Sequence, residues 1–466
     1  MTASSLADAA PHAASPTRVR YTVLSFLCVL SFVFYLDRVC MAQASPRIQQ
    51  EFGYTNTQMS YVQMAFTLAY GLFQVIIGRV SDRFGSRAVL FAIVVWWSFF
   101  TAMTGVVSGL IALIAVRFLF GIGEAGAFPN IARMIARWFP PSARSLPQGL
   151  INTCALLGGA VAPLLAAYVI DRFDLYFLRF GDDRQWWMVG WRWMFYLFGM
   201  LGIVWVVVFA FWYRDDPMNH PKVNLAERKI IAHGRNPDHV NDAPLPWNLV
   251  LRSRNVWLMG FIISCASFVS YLFFTWYPTY LQKARGLDNI QSGQMAAVVL
   301  GMGALGSVMG GWVTDWLIRV RNGERSNTRR VISMSSLTLG GILILLTIKI
   351  DDPWITTLVT GLSVYALMFQ IAPWWGVVAD ISGRYVATLF GLMNSLGTIG
   401  ALATQYYFGR VSDLFESLGY AGRDRYDPLF YGYALAMIAG AIGWYFVDAN
   451  RSAVGETIHQ DAGSTS

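Results

Sequence analysis

The sequence predicts an all-α membrane protein whose twelve transmembrane helices form two six-helix, pseudo-symmetric halves. Three observations predict it. The 466 residues are 55% hydrophobic and only 13% charged, where a soluble domain carries about 25% charged residues. Twelve apolar runs are each long enough to cross a bilayer. A short Gly and Asp element recurs at the same place in each half of the chain.

Taken in order, residues 1–17 are rich in Ala, Ser and Pro and read as a disordered cytoplasmic tail. The first six runs lie near 21–44, 60–79, 88–107, 109–128, 147–170 and 191–213, so that 18–213 is the N-terminal half. The first run is too long for a signal-peptide core and carries Asp37-Arg38, so it reads as a retained helix. Residues 214–254 hold Asp215-Asp216-Pro217 and a mix of acids and bases. They read as a cytoplasmic central loop with a short amphipathic helix. The second six runs lie near 255–281, 292–312, 331–349, 354–379, 385–408 and 429–447, so that 255–447 is the C-terminal half and 448–466 a cytoplasmic tail.

An even number of helices puts both termini on one face. Of the 35 Lys+Arg, 22 fall on the face with the termini and 11 on the other, with Arg38 and Arg117 inside the membrane. By the positive-inside rule both termini and the central loop are cytoplasmic, and the chain is expected to sit in the cell inner membrane. The net charge of +8 is strung between apolar runs and reads as this orientation signal, not as a nucleic-acid surface. The longest outside loops, 171–190 and 409–428, occupy matching positions and read as a solvated rim, with a gate or partner surface as the alternative. The four cysteines lie within apolar runs and the five histidines in tails or the central loop. Neither set has metal-ligand spacing. No phosphate loop and no hydrolase constellation is present. The expectation is therefore not an enzyme, with no cofactor, drawing on an ion gradient.

Two runs carry charge at depth. Asp37 and Arg38 lie in the first, Arg117 and Glu124 in the fourth. Each charge at a helix centre costs about 2.5–3.5 kcal/mol on insertion scales, so such residues are retained for function or as buried ion pairs. Arg117 and Glu124 are two turns apart and share a face; Tyr35 and Arg38 project from similar faces, and Asp37 lies about 100° away. Permanently charged Arg38 and Arg117 suit a carboxylate. Asp37 and Glu124 can exchange protons, which makes them the coupling pair. The alternative is two structural salt bridges. The C-terminal half has no charge deep in a helix. It offers Tyr271, Thr275, Gln370, Trp374, Trp375, Asn394, Ser395 and Gln405 instead. Asn394 can read substrate hydroxyls; Trp374 and Trp375 can wall the pocket or simply pack helices.

The repeated element is Gly78-x-x-x-Asp82-Arg83-x-Gly85-x-Arg87 after the second run and Gly311-x-x-x-Asp315 after the eighth, offset by 233 residues. It implies parallel six-helix repeats with a site between them. Asp82 can accept hydrogen bonds from a neighbouring helix N-terminus. Gly78, Asp82, Arg83, Gly85, Arg87 and Asp315, with Asp380 and Arg384, form a candidate cytoplasmic gate.

These features resemble the major facilitator superfamily over essentially the whole ordered chain. Finer ones resemble its anion:cation symporter family, which includes sugar-acid and sialin-type transporters. They are Tyr35-Leu36-Asp37-Arg38, Arg117-Phe118 through Gly121-x-Gly123-Glu124-Ala125-Gly126-x-Phe128-Pro129, Trp191-Arg192-Trp193, Trp276-Tyr277-Pro278-Thr279-Tyr280-Leu281 and Gly391-x-x-Asn394-x-x-Gly397-x-x-Gly400. The resemblance implies that the positions in the first and fourth helices are the coupling and anion-binding residues, and Tyr70 matches a family binding-site position. The expectation is a proton-coupled importer of a small organic carboxylate, first a sugar acid such as a hexonate, hexuronate or aldarate. It would work as a monomer in the lipid bilayer, without nucleic acid. The alternatives are an aromatic carboxylate and, less in keeping with two arginines, a proton-driven exporter of drug-like cations.

Overall fold

The computed structural model describes residues 15–140, 143–183, 185–232, 247–321, 324–382 and 386–448. Every regular element among them is helical, and twelve membrane helices are present. The N-terminal half comprises α1 (Val19–Phe52), α2 (Asn56–Phe84), α3 (Ser86–Thr104), α4 (Leu110–Ala125, continued by Ala127–Trp138), α5 (Ser145–Phe177) and α6 (Gly190–Trp212). The C-terminal half comprises α7 (Arg254–Tyr271, continued through Leu272–Trp276 and Tyr277–Arg285), α8 (Asn289–Val320), α9 (Arg325–Leu346), α10 (Pro353–Phe369, continued by Ile371–Ser382), α11 (Val386–Ser417) and α12 (Leu429–Tyr445). The expected tails at 1–14 and 449–466, Arg384 and the side chain of Asp82 lie outside the described residues.

Helix α4 outruns its expected end at 128. Residues 129–138 look polar in sequence, yet Ile131, Met134, Ile135 and Trp138 are buried, one apolar stripe at helical spacing. The step between its two pieces is Gly126, where a Cβ would meet Ile77 Cγ2 at 2.5 Å. The absent side chain is what lets α4 lie against α2. In α7, Leu272–Trp276 forms a π turn ahead of Pro278, whose missing N–H breaks the helical ladder. Trp276 Nε1 donates to Gln405 Oε1 at 2.6 Å, fixing the turn to α11.

The central segment is not a free loop where it is described. Glu227, in the short helix Leu225–Ala232, accepts the backbone N–H groups of Val19 and Arg20 at 3.1 Å each. It caps α1. Asp215 accepts the N–H of Arg87 at 3.0 Å and caps α3. Helix N-termini present unpaired donors and a positive dipole end, so two acids of this segment tie it to the N-terminal half.

The segments 171–190 and 409–428 are partly helical. α5 continues to Phe177 and α11 to Ser417, where Asp171 and Asp413 contact the opposite half while Arg172, Leu175, Arg410 and Leu414 are exposed. Asp413 Oδ1 accepts the N–H of Asn56 at 3.2 Å and Oδ2 that of Thr57 at 2.7 Å, at the start of α2. Asp171 Oδ1 accepts Asn289 Nδ2 at 2.7 Å, at the start of α8. Asn56 and Asn289 are separated by the same 233 residues as Asp82 and Asp315, so the latch is built twice. On this loop face α5 packs on α8 and α2 on α11. A Cβ at Gly293 would meet Pro163 O at 2.8 Å, and one at Gly409 would meet Ser60 Cβ at 2.7 Å. Toward the face that carries the chain termini, Gly149 and Gly391 have open space around them. Among the described residues, the hydrogen bonds between the six-helix halves lie toward the loop face, except that of Asn394 to Gln74.

Candidate functional site

The charged residues of α1 and α4 converge at mid-membrane. Asp37, Arg117 and Glu124 are fully buried, and Arg38 alone keeps some exposure, 11%. Arg38 Nε donates to Glu124 Oε2 at 3.2 Å. The Arg38 guanidinium lies 4.3 Å from the Tyr70 ring centre, 4.7 Å from Phe34, 5.2 Å from Phe66 and 5.5 Å from Tyr35. Arg117 lies 4.3 Å from Phe120 and 5.2 Å from that same Phe66. Two cations thus share one aromatic ring, a favourable cation–π arrangement in a desolvated site.

Pairing is incomplete. Glu124 Oε1 and Arg38 Nη2 have no hydrogen-bond partner among the described residues. Neither do the two oxygens of Asp37 or the three guanidinium nitrogens of Arg117. Arg117 and Glu124 both act electrostatically on Asp37. Of the two salt bridges that a purely structural reading requires, one is formed. Buried charges without hydrogen bonds are costly, and native proteins keep few of them. Arg38 is bonded to Glu124 and the Asp37 carboxylate has no hydrogen-bond partner among the described residues, so these adjacent residues, about 100° apart on α1, are not paired with each other.

The other expected ligands divide into two groups. Tyr35, Tyr70 and Tyr271 gather around Arg38: Tyr35 and Tyr271 each meet Phe274, at 6.3 and 6.2 Å. Asn394 reaches this group through α2. Its Nδ2 donates to Gln74 Oε1 at 2.9 Å, and Gln74 Nε2 donates to Tyr70 Oη at 3.3 Å. Trp374 is placed differently. It is fully buried, with its indole N–H donating to Met259 O at 3.1 Å. It joins α10 to α7 and offers no surface to a ligand in this conformation. Trp375 is 36% exposed and stacks on Phe390 at 4.1 Å.

On the termini face, an acid at the α3 N-terminus is Asp215. A Cβ at Gly85 would meet Asp215 Oδ2 at 2.8 Å, and Gly85 has φ +86°, so glycine serves both the turn and the approach. Arg137 approaches Asp215 at 3.8 Å. Arg87 also donates to Ala210 O. Gly78 meets Pro129 of its own half, and Arg83 and Asp315 are exposed. Asp380 pairs with Arg329 within the C-terminal half. Sequence reasoning missed Gln74, Phe66, Asp215 and Arg329. Gln74 was findable, as a polar residue in an apolar run one turn beyond Tyr70. Phe66 carries no signal in a chain with 31 Phe.

The Major Facilitator Superfamily model matches residues 27–405. The chain is 29% identical to the "Probable sulfoacetate transporter" of Cupriavidus necator over 395 residues, 84% of this chain and 87% of that one. It is 29% identical to the "Probable galactarate/D-glucarate transporter" of Escherichia coli over 433 residues, 88% and 90% of the two chains. Among solved structures it is similar to a bacterial homologue of the human lysosomal transporter Spinster. There the TM-score is 0.74 at 16% identity, covering 92% of this chain and 96% of that one. Family and relatives are transporters, not enzymes. The twelve-helix fold, the matched span and these relatives together make the chain a multi-pass membrane protein of the Major Facilitator Superfamily, with relatives that match its anion:cation symporter family.

Proposed function

We propose that the chain is a proton-coupled symporter that imports a small organic carboxylate, first a sugar acid such as a hexonate, hexuronate or aldarate. It sits in the inner membrane with its termini in the cytoplasm. The observation that carries this reading is the mid-membrane cluster. Arg38 keeps 11% exposure and is held by one bond to Glu124, beside an Arg117 whose three guanidinium nitrogens have no hydrogen-bond partner among the described residues. Two relatives whose names specify organic dianions support the substrate class.

Charge balance supplies the mechanism. With both acids ionised, the two arginines and two carboxylates sum to zero. An anion entering a low-dielectric cluster is stable only if its charge is matched. Each substrate charge therefore calls for one proton on Asp37 or Glu124. Protonation of Glu124 releases Arg38 for the substrate carboxylate, which takes over the bond and adds the bidentate geometry a guanidinium favours. Closure at the termini face and separation of the Asp171 and Asp413 latches then exchange access across the membrane, as rigid-body rocking of two repeats.

The test is binding by the purified full-length protein. Galactarate affinity should fall by at least roughly 100-fold in Arg38→Ala and in Arg117→Ala, since removing one member of a buried charge pair costs about 3–5 kcal/mol. Wild-type affinity in either variant refutes the anion clamp.

A further inference from the structure

Between the halves, one polar contact differs in kind from the loop-face latches. Gln74 of α2 and Asn394 of α11 bind each other directly at 2.9 Å. Toward the loop face the same helices touch closely: a Cβ at Gly71 would meet Thr398 Cγ2 at 2.7 Å. Toward the termini face, Gly391 has nothing within 4 Å. Among the described residues, the amide pair is the hydrogen bond between α2 and α11 nearest the termini face. Both side chains are partly exposed.

The pair is also wired to the charged cluster. Gln74 Nε2 donates to Tyr70 Oη at 3.3 Å, and the Tyr70 ring lies 4.3 Å from the Arg38 guanidinium. After these bonds, each amide retains a second N–H, and Asn394 retains its carbonyl. Among the described residues none of these has another partner. Two amides from opposite halves thus present donors and an acceptor, one tyrosine away from a cation.

We infer that Gln74 is a specificity-determining residue: together with Asn394 it reads the hydroxyl groups of a substrate whose carboxylate is held at Arg38. A hydroxyl both donates and accepts, and so does a primary amide, whereas an unhydroxylated chain leaves partly buried amide groups without partners. The site should therefore favour hydroxylated carboxylates over unhydroxylated acids of equal length. The inference rests on the organic-anion reading of the Arg38 and Arg117 cluster.

The test uses two pairs of compounds with matched carbon skeletons: galactarate with adipate, and galactonate with hexanoate. Dissociation constants are measured calorimetrically on the purified full-length protein, for the wild type and for Gln74→Leu and Gln74→Met. The second variant, nearly isosteric, keeps the question open to measurement if the first fails to fold. The wild type should favour the hydroxylated member of at least one pair by roughly tenfold or more. Both variants should weaken that compound by roughly tenfold and leave the unhydroxylated acid unchanged. Equal losses for both members would make Gln74 a packing residue and overturn the inference, as would variants that keep the wild-type ratio. A wild type that binds the hydroxylated and plain acids equally also overturns it while leaving the anion site standing. A wild type that binds none of the four compounds removes the sugar-acid reading, and this inference with it.

Discussion

Replacing Asp413 by asparagine should loosen the loop face without altering its shape. Asp413 receives two backbone N–H groups from the first turn of α2, at 3.2 and 2.7 Å, and Arg425 Nη2 at 3.0 Å. Arg425 belongs to the same half as Asp413, so that bond persists whichever way the halves rock and cancels from the balance. The two bonds to α2 exist only when the loop face is closed. A hydrogen bond to a charged group contributes about 1 kcal/mol more than a neutral one, and a charge at a helix N-terminus adds about 0.3–1 kcal/mol. The closed state should therefore lose about 2–3 kcal/mol, a shift of roughly 30–150-fold toward opening. Hydrogen exchange with mass spectrometry checks this on peptides covering residues 54–62 and 407–414, which should exchange faster by about that factor. Unchanged protection there would show that Asp413 does not hold the halves together.

The matching change, Asp171→Asn, weakens one side-chain bond between the halves from charged to neutral. It should cost about 1 kcal/mol and speed exchange at the start of α8 roughly fivefold; an effect as large as that of Asp413→Asn would contradict this accounting. Glu124→Gln and Asp37→Asn should each abolish accumulation driven by a pH gradient in proteoliposomes while sparing part of the counterflow exchange. Undiminished accumulation in both would reject their coupling role. Asp215→Ala removes the cap on α3 and should destabilise the N-terminal half by about 1 kcal/mol. The readout is a fall of a few degrees in apparent Tm with faster exchange over residues 86–90. Wild-type values would mean that Arg87 is capped in some other way.

What was legible in the sequence follows from the solvent. A bilayer demands long apolar helices with every backbone group paired internally, so the twelve runs from 21–44 to 429–447 predict α1 to α12 by composition alone. The same demand makes Asp37, Arg38, Arg117 and Glu124 conspicuous. Errors arise where helices leave the hydrocarbon. Residues 129–138, 171–177 and 409–417 look like loops because polarity is a poor guide where one face of a helix packs on protein beyond the apolar run.

The sequence by itself determined the helix count, the two-fold repeat and the identity of the charged residues, because each is a one-dimensional property of hydropathy or spacing. Only the tertiary structure decided who meets whom. It joined Arg38 to Glu124 and left the Asp37 carboxylate and the Arg117 guanidinium without hydrogen-bond partners among the described residues. It placed Asp215 at the α3 cap, sealed Trp374 against α7, and set Gln74 between Tyr70 and Asn394. These pairings span helices far apart in the chain. They depend on the rotation and crossing of each helix, which packing between side chains fixes and hydropathy does not encode.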